Sequence, residues 1–141
     1  MLLGGDGSDT LSGEAGDDAL NGGTGIDSLS GSTGNDIFIF NAVDAFTNRD
    51  TIVSFGNAVG NDDTLHLSGT IFTGLALGAI SANQLVIGST AQDSSDRIIY
   101  NATTGALYFD SDGTGASASA QLQFAAMNTG VVVTNVDFVI I

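Results

Sequence analysis

Residues 4–39 are four nine-residue units set end to end: GGDGSDTLS, GEAGDDALN, GGTGIDSLS and GSTGNDIFI. Position one is always Gly (Gly4, Gly13, Gly22, Gly31), and so is position four (Gly7, Gly16, Gly25, Gly34). Position six is always Asp (Asp9, Asp18, Asp27, Asp36), and position eight is a large apolar residue (Leu11, Leu20, Leu29, Phe38). A fixed internal period dictates architecture, because each unit must stack on its neighbours to bury its single apolar residue. A flexible Gly/Asp-rich linker has no reason to keep such a residue at every ninth place.

Glycine at fixed places marks backbone turns that a side chain forbids. The three residues after each Asp alternate as a short strand does, with one apolar side chain between mostly polar neighbours. Each unit therefore reads as a six-residue turn and a three-residue strand. Two units make one coil of a flattened parallel roll, an all-β fold. Its core is thin, since four apolar residues offset little of the entropy lost in ordering so many glycines. Stacking brings Asp9 near Asp27 on one edge and Asp18 near Asp36 on the other, among bare carbonyls of the glycine turns. Left alone, paired carboxylates repel. An all-oxygen cage suits calcium better than magnesium, which keeps its waters and demands tighter octahedral geometry.

The repeats resemble the GGxGxDxLx nonapeptides of RTX (repeats-in-toxin, hemolysin-type calcium-binding) proteins. Units two and four depart from the pattern at position two, where Glu14 and Ser32 replace Gly. That position is expected to offer a main-chain carbonyl, so the cage survives while the turn is less relaxed. The resemblance implies a right-handed parallel β-roll holding at least two Ca2+ ions. One lies between Gly4, Asp6, Asp9 and Gly23, Gly25, Asp27. The other lies between Gly13, Ala15, Asp18 and Ser32, Gly34, Asp36. In each set the position-six Asp offers its carboxylate and the others main-chain oxygen.

Charge narrows the partners. Sixteen acidic residues face two basic ones, Arg49 and Arg97, for a formal net charge of −14 in 141 residues. Such a field repels nucleic acid and anionic membrane surfaces, and it resists compaction until cations arrive. Cysteine is absent, so no disulfide framework exists. A hydrophobic content of 43% is too high for a disordered acidic tail. Met1-Leu2-Leu3 has neither the basic nor the extended apolar region of a signal peptide. Leu2 falls at position eight of a preceding unit, so the chain is expected to be a fragment beginning inside a longer array.

Residues 40–141 read as a mostly β cap on the roll of residues 1–39, because an open roll needs an atypical end. The strand Ile37-Phe38-Ile39-Phe40 already wants cover on both faces. Asp50 to Phe55 and Asp63 to Leu67 alternate like strands and resemble the DxIxxF…DxLxL segment after the repeats of serralysin-type secreted proteins. That resemblance makes Asp44 and Asp50 candidates to close a calcium site, with strand-start capping the favoured role. A short helix is expected around Leu75 to Ala82, then a strand at Gln84 to Ile87. Arg97 to Tyr100 and Ala106 to Phe109 form a hairpin across a turn at Asn101 to Gly105. Asp110-Ser-Asp112-Gly113 opens like an EF-hand loop, but Gln121 stands where the bidentate Glu belongs, so a turn is expected. Gln121 to Met127 and Val131 to Val133 are further expected strands. The stretch from Asp96 to Ala125 also resembles the C-terminal region of hemolysin-type calcium-binding proteins.

The chain ends Asn135-Val136-Asp137-Phe138-Val139-Ile140-Ile141, an acid followed by an apolar run. After RTX-like repeats this is similar to the uncleaved signal of bacterial type I (ABC-transporter) secretion, which implies a secreted, extracellular protein. The alternative is an ordinary closing strand. Enzymatic readings find little support. His66 is the only histidine, no HExxH or GxSxG motif occurs, and GGDGSD lacks the lysine that cradles phosphate. Asp17/Asp18 and Asp62/Asp63 read as metal-site and solvated-edge residues rather than a glycosidase pair. The expectation is a non-catalytic calcium-binding domain that folds outside the cell. The competing readings are a calcium-stabilised adhesion or carbohydrate-binding module, and the non-catalytic end of a secreted protease, lipase or epimerase.

Overall fold

The computed structural model describes residues 1–42, 45–112 and 121–141. The repeats supply β1 (Leu2–Asp6), β2 (Thr10–Ser12), β3 (Ala19–Thr24), β4 (Ser28–Ser30) and β5 (Ile37–Phe40). Strands eighteen residues apart pair in parallel: β1 with β3, β3 with β5, and β2 with β4. Leu11 stands opposite Leu29, and Leu20 opposite Phe38, so the apolar column stays in register from coil to coil. Leu2 pairs with Leu20, as a position-eight residue should. The chain is a parallel β-roll here, and β1 and β3 extend past three residues into their turns.

The same two sheets continue beyond residue 40. β6 (Asp50–Val53) pairs with β4, and the small β7 (Asn57–Ala58) and β8 (Asn61–Asp62) hairpin leads into β9 (Thr64–Leu67), which pairs with β5. Then follow β10 (Gly78–Ala79), β11 (Leu85–Ile87), β12 (Ile98–Tyr100), β13 (Ala106–Asp110), β14 (Gln121–Ala126) and β15 (Phe138–Ile140). One sheet runs β1-β3-β5-β9-β15-β10 and the other β11-β12-β13-β14-β6-β4-β2. Their inward side chains meet in one core containing Leu20, Leu29, Phe38, Ile52, Leu65, Phe124 and Phe138. Burying each is worth roughly 1.5–3 kcal/mol.

Core thickness is uneven along the stack. In the repeats each nine-residue unit contributes one inward apolar residue, at position eight, and Leu11 is only half-buried. Toward the C-terminal end, Phe40, Phe46, Phe72, Phe109 and Phe124 form a contiguous ring cluster with centroids 5.0–5.8 Å apart. Asn128 closes a gap in this region: its Oδ1 accepts the Phe55 N–H at 2.8 Å, and its Nδ2 donates to the Phe55 carbonyl at 3.1 Å.

The hairpin of β12 and β13 and the strands at β11 and β14 lie where the sequence places them. Two expectations fail. No helix forms at Leu75 to Ala82, because Gly74 and Gly78 take positive φ (83° and 97°) that an α-helix excludes. That stretch holds β10 and the start of a 3-10 turn at Ala82–Gln84. Nor is Val131 to Val133 a strand: it follows Gly130 at φ 76°, and its Val132 carbonyl accepts the Asn57 amide at 2.6 Å instead of joining a ladder.

Candidate metal centre

The position-six aspartates form a ladder on each edge of the roll. The Asp9 main-chain N–H donates to Asp27 Oδ1 at 2.8 Å, and Asp27 N–H donates to Asp50 Oδ1 at 3.0 Å. On the other edge Asp18 N–H donates to Asp36 Oδ1 at 2.9 Å, and Asp36 N–H donates to Asp63 Oδ1 at 2.9 Å. The cause is local: the turn leaves the Asp N–H unpaired where the strand begins, and the Asp one coil further on supplies the acceptor. Asp50 is thus a position-six residue heading β6, which is the strand-start role. Asp44 lies outside the described residues.

One oxygen each of Asp27, Asp36, Asp50 and Asp63 is used in this way. The second oxygens of Asp9, Asp27 and Asp36 are buried and have no hydrogen-bond partner. Asp27 and Asp36 are 2% and 1% exposed. A buried acceptor without a donor is costly, more so when charged. Asp63 is the instructive contrast: its Oδ2 accepts the Gly56 N–H at 2.8 Å. Burial pushes the Asp63 carboxyl up, with the Asp36 and Asp62 charges adding to the rise, while the N–H groups of Gly56 and Asp36 pull it down. Beyond the repeats a backbone donor takes up the oxygen that the repeats leave open.

The glycines explain how the turns approach so closely. A Cβ at Gly23 or Gly25 runs into the carbonyl oxygen of Gly5 or Gly7, and one at Gly34 into that of Gly16. A Cβ at Gly22 or Gly31 runs into the carboxylate of Asp27 or Asp36 in its own unit. Gly4 and Gly13 meet Asp9 and Asp18 likewise. Glu14 and Ser32 sit at φ 68° and 74°, the left-handed region, so the non-glycine turns carry strain. Ala15 is bridged in parallel to Thr33. Asp6 is exposed and accepts the Thr24 hydroxyl at 2.9 Å. A cavity of about 10 Å³, room for one small species, is lined by Gly23, Gly25, Asn48 and Asp50 among others.

The structure therefore brings together Gly4, Asp6, Asp9 with Gly23, Gly25, Asp27, and Gly13, Ala15, Asp18 with Ser32, Gly34, Asp36, as adjacent turns of one edge each. Among the described residues no three His, Cys, Asp or Glu side chains converge. Such a site has at most two carboxylates and must draw its remaining donors from the main chain, which is hard-cation chemistry. Sequence reasoning missed a second ladder at position five, where Asn35 N–H donates to Asp17 Oδ1 at 2.8 Å and Asp62 N–H to Asn35 Oδ1 at 2.9 Å. It also missed Asn61, whose Oδ1 accepts the Gly34 N–H at 3.2 Å. The alternation of Asp17 and Asn35 at position five of units two and four was the available signal. His66 is half-buried on β9, and burial lowers its pKa. The Asp112 N–H donates to Asp110 Oδ1 at 3.3 Å, the geometry of a turn; Gly113 lies outside the described residues.

Comparison with protein families matches residues 1–29 and 12–42 to the RTX calcium-binding nonapeptide repeat, in four copies. Residues 1–42 therefore carry RTX calcium-binding nonapeptide repeats. Comparison with curated proteins finds no match.

Proposed function

We propose that residues 1–39 are a calcium-gated folding module and that residues 40–141 cap it and carry a type I secretion signal at their end. The observation that carries the metal reading is the trio of buried, partnerless oxygens on Asp9, Asp27 and Asp36, set against the satisfied Asp63. Calcium supplies a hard divalent charge to these oxygens and to neighbouring carbonyls. In this reading one ion is held by Gly4, Asp6, Asp9, Gly23, Gly25 and Asp27, and another by Gly13, Ala15, Asp18, Ser32, Gly34 and Asp36.

Metal binding to the native turns alone makes binding free energy into folding free energy. Two ions offset only four of the fourteen net negative charges, so bridging within each turn pair matters more than global neutralisation. Where calcium is scarce, the acidic chain stays open and fit to thread a transporter; outside the cell calcium closes the roll and favours one-way exit. No described helix is long and apolar enough to cross a membrane. Far-UV circular dichroism during a calcium titration, with magnesium as control, tests the gate. A cooperative coil-to-β transition with calcium alone is expected; a fully folded spectrum in chelator overturns it. Secretion of a passenger fused to residues 1–141 tests the export reading separately.

A further inference from the structure

Asn21-Gly22 is the one Asn-Gly pair in the sequence, and it sits inside β3, where the strand enters a metal-site turn. Units one and three end in Ser12 and Ser30 at the corresponding place. Gly22 is obligatory, since a Cβ there strikes the Asp27 carboxylate. Asn21 is not held by a comparable need: its Nδ2 donates to the exposed Asn41 at 3.0 Å, while its Oδ1 is buried without a partner.

We propose that Asn21 is a spontaneous deamidation site, open in the metal-free chain and closed by strand pairing in the folded roll. The chemistry needs only water. The Gly22 main-chain nitrogen gives up its proton and attacks Asn21 Cγ; the bond from Cγ to the side-chain nitrogen breaks and ammonia leaves. Water then opens the cyclic imide at either carbonyl, giving Asp or iso-Asp at position 21. Glycine on the C-terminal side puts no side chain in the path and leaves the unfolded backbone free to reach the cyclising geometry. In the folded chain β3 lies between β1 and β5, which fixes its dihedrals, so reaction waits on local opening.

The products strike the metal site. Iso-Asp adds a main-chain carbon ahead of Gly22, which moves Gly23 off Gly5 and Thr24 off Asp6. Asp removes the donor to Asn41 and sets a carboxylate against that oxygen. Deamidation thereby limits how long the chain can stay without metal and still fold.

The site rests on β3 itself; its gating by calcium rests on the calcium-linked folding proposed above. The test is to incubate the whole chain in calcium, in chelator, and in urea with chelator, and to follow the amide-to-acid mass gain at Asn21 by fragmentation mass spectrometry, with circular dichroism on each sample. Conversion at least about tenfold slower in calcium than in either other arm is expected, because the rate scales with the open population. Asn21→Ser, which copies Ser12 and Ser30, should fold with calcium and show no mass gain at that residue. Slow conversion in both calcium and chelator, fast in urea, with a folded spectrum in chelator, upholds strand protection and overturns the calcium gate. Equal rates in urea and in folded, calcium-loaded chain overturn the proposal.

Discussion

Asp27→Asn separates the two jobs assigned to the position-six carboxylate. The amide keeps an oxygen to accept the Asp9 N–H, now bonded at 2.8 Å, but removes the charge and replaces the partnerless buried oxygen by NH2. A unit charge and a divalent ion about 2.4 Å apart interact by about 3.5 kcal/mol even at the dielectric constant of water, and by more in a buried site. The calcium dissociation constant should therefore rise by two to three decades or more at roughly 1.4 kcal/mol per decade. Calorimetric titration should show one fewer ion at moderate calcium, and the folding midpoint should move upward. Asp27→Ala also strips the acceptor from the Asp9 N–H, adding about 1.5–3 kcal/mol for a charge-assisted hydrogen bond. If Asp27→Asn leaves both stoichiometry and midpoint unchanged, its second oxygen is no ligand and the aspartate serves the ladder alone.

Other outcomes follow from the same geometry. Glu14→Gly relieves a φ of 68° on an exposed side chain and should stabilise the calcium-loaded roll by about 1 kcal/mol in urea denaturation. Asn128→Ala strands the Phe55 N–H and carbonyl inside the cap and should cost about 2–3 kcal/mol at saturating calcium. His66 has a folded pKa lowered by burial from 6.5, so its contribution is fully present above that value and is lost as pH falls toward the lowered pKa. His66→Gln should accordingly flatten the loss of stability as pH falls below 6.5. Trypsin has two cleavage residues, Arg49 and Arg97; gel analysis should show both cut quickly in chelator and slowly in calcium.

A period of nine with Gly, Gly, Asp and one apolar residue in fixed columns was enough to derive the roll, its two edges, its register and the pairing of Asp9 with Asp27 and Asp18 with Asp36. Strict repetition leaves one way to stack, so local pattern and tertiary contact coincide. Past residue 40 the pattern no longer repeats, and the sequence alone lost its hold: it reads as a short helix around Leu75 to Ala82, where the positive φ of Gly74 and Gly78 excludes one. Only the folded chain shows that Asp50 and Asp63 extend the two aspartate ladders, since each meets its donor across 23 or 27 residues. Which carboxylate oxygens stay open was likewise decided in three dimensions. Asp36 and Asp63 are the same residue type at the same place in a coil, and the Gly56 N–H closes one while nothing closes the other. Composition cannot distinguish them, because satisfaction of a buried charge depends on the donors that other segments bring to it.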